Sequence, residues 1–217
     1  MNIILIIEYI AVVVFAITGV ITAIEKKLDI FGATVLGFIT ALGGGMLRDV
    51  FLGYLPPAIF RDPGFAITSI AASVITFIIA AIIGKKIKSN FEIYSQVINI
   101  LDSIGLSLFV VAGVQQAHNC GFKDNLWLSV FVGVLTGVGG GIIRDMMAGK
   151  VPTILKKRIY ALAALPGALI YQILTEYDVL PQVPSLIIGA GVILILRICA
   201  TVFRWNMPRI EELAEDE

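Results

Sequence analysis

The stretch Gly-Gly-Gly-Met-Leu-Arg-Asp at Gly43–Asp49 recurs as Gly-Gly-Gly-Ile-Ile-Arg-Asp at Gly139–Asp145, 96 positions on, each time inside an apolar run of membrane length. Each of the adjacent glycines lowers helix stability by about 1 kcal/mol relative to alanine. An arginine and an aspartate at membrane depth cost several kcal/mol more unless they are partnered. The match extends beyond the charges, since Gly53 and Pro56 precede Gly149 and Pro152 by the same interval. Two copies of so costly a pattern point to function at the paired sites.

The surrounding composition sets the class. Of 217 residues, 58% are hydrophobic and 15% charged, against about 45–50% and about 25% in soluble domains. Runs of about 20 apolar residues fall at Ile3–Ile24, Ile30–Leu52, Gly64–Gly84, Ile93–Ala117, Leu126–Ala148, Ile159–Leu174 and Pro184–Phe203. The expected fold is therefore all-α and integral to the membrane, with seven transmembrane helices and short loops. The first run lacks the basic start and small-residue cleavage site of a signal peptide, so it is taken as a helix. Cys120, Cys199 and the single His118 form no CxxC or Cys/His cluster. The sequence has no HExxH, GxSxG or phosphate loop, so an enzyme is not expected. Neither a cofactor nor a nucleic-acid partner is expected.

The zero net charge conceals an asymmetry. The connections on one side carry Lys26, Lys27, Lys85, Lys86, Lys88, Lys150, Lys156, Lys157, Arg158, Arg204 and Arg209, whereas the side of the amino terminus carries only Arg61 and Lys123. Basic loops stay cytoplasmic, which places the amino terminus outside and the carboxyl terminus inside. The basic side is also a candidate surface for anionic membrane lipid. The localisation expected is a prokaryotic inner membrane.

A second alignment fixes the plan. Glu8, Phe15 and Gly19 in the first run match Asp102, Phe109 and Gly113 in the fourth at an offset of 94. Helices one to three thus repeat as helices four to six, and because three is odd the copies have inverted topology. The chain divides into a first repeat over residues 1–88, a second over 89–178, a seventh helix over 179–204 and an acidic tail over 205–217. Gly189 and Gly191 offer close-packing positions in the unpaired helix.

In the second and fifth helices the triple glycines Gly43, Gly44, Gly45 and Gly139, Gly140, Gly141 are expected to kink or unwind a turn. Freed backbone groups in lipid must find protein, water or an ion, which makes a lined pathway the favoured reading and tight helix crossing the alternative. Arg48 and Arg144 need partners. The sequential neighbours Asp49 and Asp145 point about 100° away on a helix, so the expected ion pairs are Glu8 with Arg48 and Asp102 with Arg144. These pairs either lock the packing or leave Asp49 and Asp145 to attract a cation. Thr34, Thr40, Ser129 and Thr136 are candidate supplementary ligands, although helical Ser and Thr usually bond their own backbone. Gln96 and Asn99 are comparable, and Arg197 is expected to snorkel to the cytoplasmic interface.

The doubled GGG-x-x-R-D pattern, the acidic positions of helices one and four, the three-plus-three-plus-one plan and the length resemble the prokaryotic members of the trimeric intracellular cation channel (TRIC) family. That module is also described as a glycine transporter domain. The resemblance covers essentially the whole chain. It implies a homotrimer with a potassium-permeable, weakly selective monovalent cation pore in each protomer, lined mainly by kinked second and fifth helices, with potassium or sodium as the permeating ion. Animal members carry a lysine-containing motif and bound phosphoinositide at the second-helix break; glycines stand there in this sequence, so phosphoinositide dependence is not carried over. The rival function is a secondary transporter of glycine or another small zwitterion, since inverted repeats also build carriers. A structural or lipid-binding membrane protein is the third reading.

Overall fold

The computed structural model describes residues 3–83, 91–156 and 159–203. Lys85, Lys86, Lys88, Lys157, Arg158, Arg204, Arg209 and the acidic tail lie outside the described residues. Long helices are α1 (Ile3–Glu25), α2 (Ile30–Phe51), α4 (Pro63–Ile83), α5 (Phe91–Asn119), α6 (Leu126–Met147) and α10 (Gln182–Val202). Short helices are α3 (Ala58–Arg61), α7 (Thr153–Lys156) and α8 (Ile159–Leu162), and α9 (Ala164–Glu176) is intermediate.

Among the described residues, six helices are long and apolar enough to cross a membrane; α1, with 23 residues, is about 35 Å long against a hydrocarbon core of about 30 Å. The expected sixth crossing is divided, since a turn at Ala163 separates α8 from α9. Pro166 accounts for the break. It has no N–H to bond the Leu162 carbonyl, and its ring crowds that same carbonyl.

Local signals at the ends of α2 and α6 are duplicated as faithfully as the motif. Asp29 Oδ1 caps α2 by accepting from Gly32 N at 2.7 Å, and Asn125 Oδ1 caps α6 by accepting from Leu128 N at 3.1 Å. At the other end Gly53 and Gly149 adopt φ +67° and +64°. Gly53 N donates to Val50 O and Tyr54 N to Asp49 O, while Gly149 N donates to Met146 O and Lys150 N to Asp145 O. This is the Schellman closure, which requires a left-handed residue where glycine carries no Cβ penalty.

The bundle is organised about these helices. α1 packs on α2 and α4, α5 packs on α6 and α9, and the two triplets join through α2 against α6 and α1 against α5. α10 lies against α9 and α5. α4 is the least enclosed, with Ile67, Ile75 and Ile82 exposed on its outer face, as suits a lipid-facing helix. Gly189 packs on Tyr171 of α9, whereas Gly191 faces open space.

Candidate functional site at the α2–α6 crossing

The triple glycines do not unwind their helices: α2 and α6 are α-helical throughout Gly43–Gly45 and Gly139–Gly141. This corrects the expectation of freed backbone groups. The glycines instead let two helices meet backbone to backbone. A Cβ added at Gly44 would collide with the Thr136 carbonyl oxygen, and one at Gly140 with the Thr40 carbonyl oxygen. The Cβ position of Gly139 lies 3.2 Å from Gly44 Cα, and that of Gly43 lies 2.8 Å from Ile143 Cδ1. Gly45 differs, its nearest neighbour being an Arg48 nitrogen at 3.9 Å. Each motif therefore spends two glycines on the crossing, and Gly45 on an opening.

The same device joins the helices within each repeat. Gly19 of α1 meets Gly37 of α2, and Gly113 of α5 meets Gly133 of α6, with Thr40 and Thr136 against the same glycines. Both threonines are fully buried and donate backward, Thr40 Oγ1 to Leu36 O at 2.6 Å and Thr136 Oγ1 to Val132 O at 2.7 Å. Thr34 donates likewise to Ile30 O and Ser129 to Phe122 O. The helical hydroxyls are thus engaged with backbone.

Four residues beyond each crossing glycine, about 6 Å along the axis, sits an arginine. Arg48 Nη1 lies 2.7 Å from Glu8 Oε1, and Arg144 Nη1 and Nη2 lie 2.6 and 3.0 Å from Asp102 Oδ1 and Oδ2. The structure thus joins each arginine to the acid of the helix that opens its own repeat. The adjacent aspartates also take part, against expectation: Arg48 Nε donates to Asp49 Oδ1 at 2.8 Å and Arg144 Nε to Asp145 Oδ1 at 3.0 Å. A guanidinium carries five donors on a long stem, so its Nε edge folds back to the neighbour while its far edge reaches across to the next helix.

The second oxygen of each aspartate closes the loop that follows. Asp49 Oδ2 accepts from Ala58 N at 2.8 Å, and Asp145 Oδ2 from Thr153 N and Oγ1 at 2.7 and 2.8 Å. The position matching Thr153 is Pro57, which has no N–H, so Asp49 takes the next one along. A carboxylate at the start of a helix also meets favourable backbone dipoles. Nothing in the sequence pattern alone had assigned these capping roles.

The two clusters differ in enclosure. Arg144 also donates to Thr18 Oγ1 of α1 at 3.0 Å, whereas the repeat places Ala112, without a hydroxyl, opposite Arg48. The Asp102 side chain is 3% exposed and that of Glu8 16%. A cavity of about 30 Å³ adjoins the first cluster, bounded by Glu8, Gly45, Arg48, Asp49, Phe65 and Phe109; it is polar on one side and roomy enough to hold water. Between the clusters Phe15 and Phe109, themselves repeat-related, meet edge to face with centroids 5.2 Å apart.

Arg197 is corrected as well. It is buried at 3% exposure and donates from Nε to Ser103 Oγ at 3.2 Å, so it is held against α5 rather than extended to the interface.

A family model described as "Glycine transporter" matches residues 5–81 and 99–176, one match in each repeat. The UPF0126 inner membrane protein YadS of Escherichia coli (strain K12) is 33% identical over 210 residues, 97% of this chain and 96% of the relative. A structure from work on conductance through TRIC cation channels is 38% identical with a TM-score of 0.78, covering 94% of this chain and 95% of that one. The TRIC trimeric intracellular cation channel orthologue from Rhodobacter sphaeroides is 30% identical with a TM-score of 0.85, covering 94% and 100%. The chain belongs to the TRIC family. Its structural relatives are channels, not enzymes, and as a TRIC-family chain it is a membrane protein.

Proposed function

We propose that this TRIC-family chain conducts monovalent cations, potassium or sodium, along the seam between α2 and α6. The carrying observation is its similarity to TRIC cation channels over 94% of its length, combined with the formal charge of the two clusters. Glu8, Arg48 and Asp49 sum to −1, as do Asp102, Arg144 and Asp145. Each arginine is more than neutralised, so the clusters attract a cation and repel chloride on both sides of the crossing. In the conformation described, Gly44 and Gly140 sit against backbone and close the seam, so conduction requires α2 and α6 to part there. The working unit is a homotrimer in an inner membrane, amino terminus outside, with one pathway per protomer.

The carrier reading draws on the family description. Against it, the oxygens of Asp49 and Asp145 bind the adjacent arginine and the backbone of the following loop, so each carboxylate holds its own cluster together rather than standing out toward a substrate ammonium. Purified protein in planar bilayers distinguishes the two: stepwise current in symmetric potassium chloride supports the channel. Saturable glycine counterflow from vesicles without such steps overturns it.

A further inference from the structure

The connection between α2 and α4, residues 53–62, is fastened largely to itself. Phe60 N donates to Pro57 O and Asp62 N to Ala58 O. Arg61 folds back along the same stretch, donating from Nε to Pro56 O at 2.8 Å and from Nη2 to Leu55 O at 2.7 Å, with its guanidinium 3.9 Å from the centre of the Tyr54 ring. Leu55 and Phe60 are exposed. Beyond the Gly53 turn, and within the described residues, two hydrogen bonds join this segment to α1 and α2: Ala58 N donates to Asp49 Oδ2 at 2.8 Å, and the Tyr9 hydroxyl donates to Asp62 Oδ2 at 3.1 Å.

The segment stands against the first ion cluster. Ala58 and Ile59 line the cavity of about 30 Å³ beside Glu8, Gly45 and Arg48, and Phe65 completes that wall. Tyr9 stacks on Phe65 with ring centroids 4.6 Å apart, so its ring steadies the wall while its hydroxyl holds the segment. The second repeat fastens the matching stretch to its surroundings instead. Lys150, at the position of Tyr54, pairs with Glu25 of α1 at 2.6 Å, and Thr153 gives Asp145 two bonds. Ser103, at the position of Tyr9, has no phenol to offer. A surface segment with its bonds inside itself and few ties outward opens at low cost. We propose that residues 53–62 form a lid over the first cluster, latched by Tyr9 to Asp62, whose release opens Glu8, Arg48 and Asp49 to water on the face where α1 begins. Under the channel reading this lid gates cation entry on that face; its test is read without current, so a lid without conduction and conduction without a lid are told apart.

Thiol labelling of the purified full chain in detergent tests it. In a background with Cys120→Ser and Cys199→Ser, Gly45→Cys puts a thiol on the cavity wall beside Arg48, whose charge favours the reactive thiolate. Met46→Cys, on the same wall, replaces it if that variant does not assemble. The reagent is a methanethiosulfonate bearing a sulfonate, and its rate follows the fraction of protein with the lid open. Tyr9→Phe keeps the ring and removes the latch hydroxyl, while Asp62→Ala removes the acceptor. Each should speed labelling about tenfold, the scale of one hydrogen bond to a charged group, and the two together no more than either alone, because they break one bond. Ser107→Cys, a near-isosteric change at a buried position of α5, should label slowly throughout. An unchanged rate in Tyr9→Phe, multiplied rates in the double variant, or an equal rise at position 107 overturns the lid.

Discussion

Arg144 grips Asp102 with both terminal nitrogens, at 2.6 and 3.0 Å, while its counterpart Arg48 holds Glu8 with one, at 2.7 Å. The inverted repeat is therefore symmetric in plan and unequal in strength. Thr18 adds a further bond on the Arg144 side, and the cavity beside Glu8 leaves the first cluster partly open.

That inequality ranks two substitutions. Arg144→Ala leaves Asp102 buried without its partner and should cost about 3–5 kcal/mol. Arg48→Ala should cost less, because Glu8 is 16% exposed beside the cavity and can hydrate. Thermal unfolding of detergent-purified protein checks the order. Partial recovery in Asp102→Asn with Arg144→Gln is expected; a larger loss for Arg48→Ala would contradict the account.

The glycines of one motif should separate by position. Gly44→Ala and Gly140→Ala each drive a methyl group into a carbonyl of the opposite helix, so reduced assembly is expected for both, singly or combined. Gly45→Ala meets nothing closer than an Arg48 nitrogen at 3.9 Å and should assemble normally. Size-exclusion profiles of the three variants decide this, and unimpaired Gly44→Ala with impaired Gly45→Ala would reverse the assignment.

Much of this was legible in the sequence because membrane burial is expensive. The charges of Glu8, Arg48, Asp102 and Arg144 at membrane depth require partners, and their matched positions in the two repeats pair them. The state of the triple glycines was not legible. Unwinding and close crossing both call for glycine, and only the position of Thr40 and Thr136 on the facing helix separates the two. The capping roles of Asp49 and Asp145 were hidden for a related reason: their partners, Ala58 and Thr153, become neighbours only after Gly53 and Gly149 turn the chain. Pro166, which splits the sixth crossing, was a local signal within an otherwise apolar run.

Asp49 and Asp145 link structure to ion preference. Asp49→Asn or Asp145→Asn raises its cluster from −1 to 0 and weakens the bonds to Arg48 or Arg144. A lower melting temperature is expected, together with a smaller potassium-over-chloride preference, most evident at low ionic strength where screening is least. Thr153→Val removes one of two bonds to Asp145 Oδ2 and should cost about 1 kcal/mol with selectivity unchanged. Selectivity indifferent to both aspartates would remove the electrostatic argument.

Orientation is tested by labelling. Burial, and then the Asp49 charge, push the Cys120 thiol above its ordinary range, so it is a slow reactant; it and Cys199 are replaced by serine. Asp178→Cys, at a site 83% exposed, should react with an impermeant maleimide on intact cells. Lys26→Cys should react only after permeabilisation. The opposite pattern would invert the topology.

The central claim is that the α2–α6 seam passes cations. Its most direct measurement is the zero-current potential of purified protein in a planar bilayer under a potassium chloride gradient. The account predicts a potential with the sign of the potassium equilibrium potential, moving toward zero when Asp49→Asn and Asp145→Asn are combined. A potential with the sign for chloride would contradict it, and would make Arg48 and Arg144 the groups that face the permeating ion.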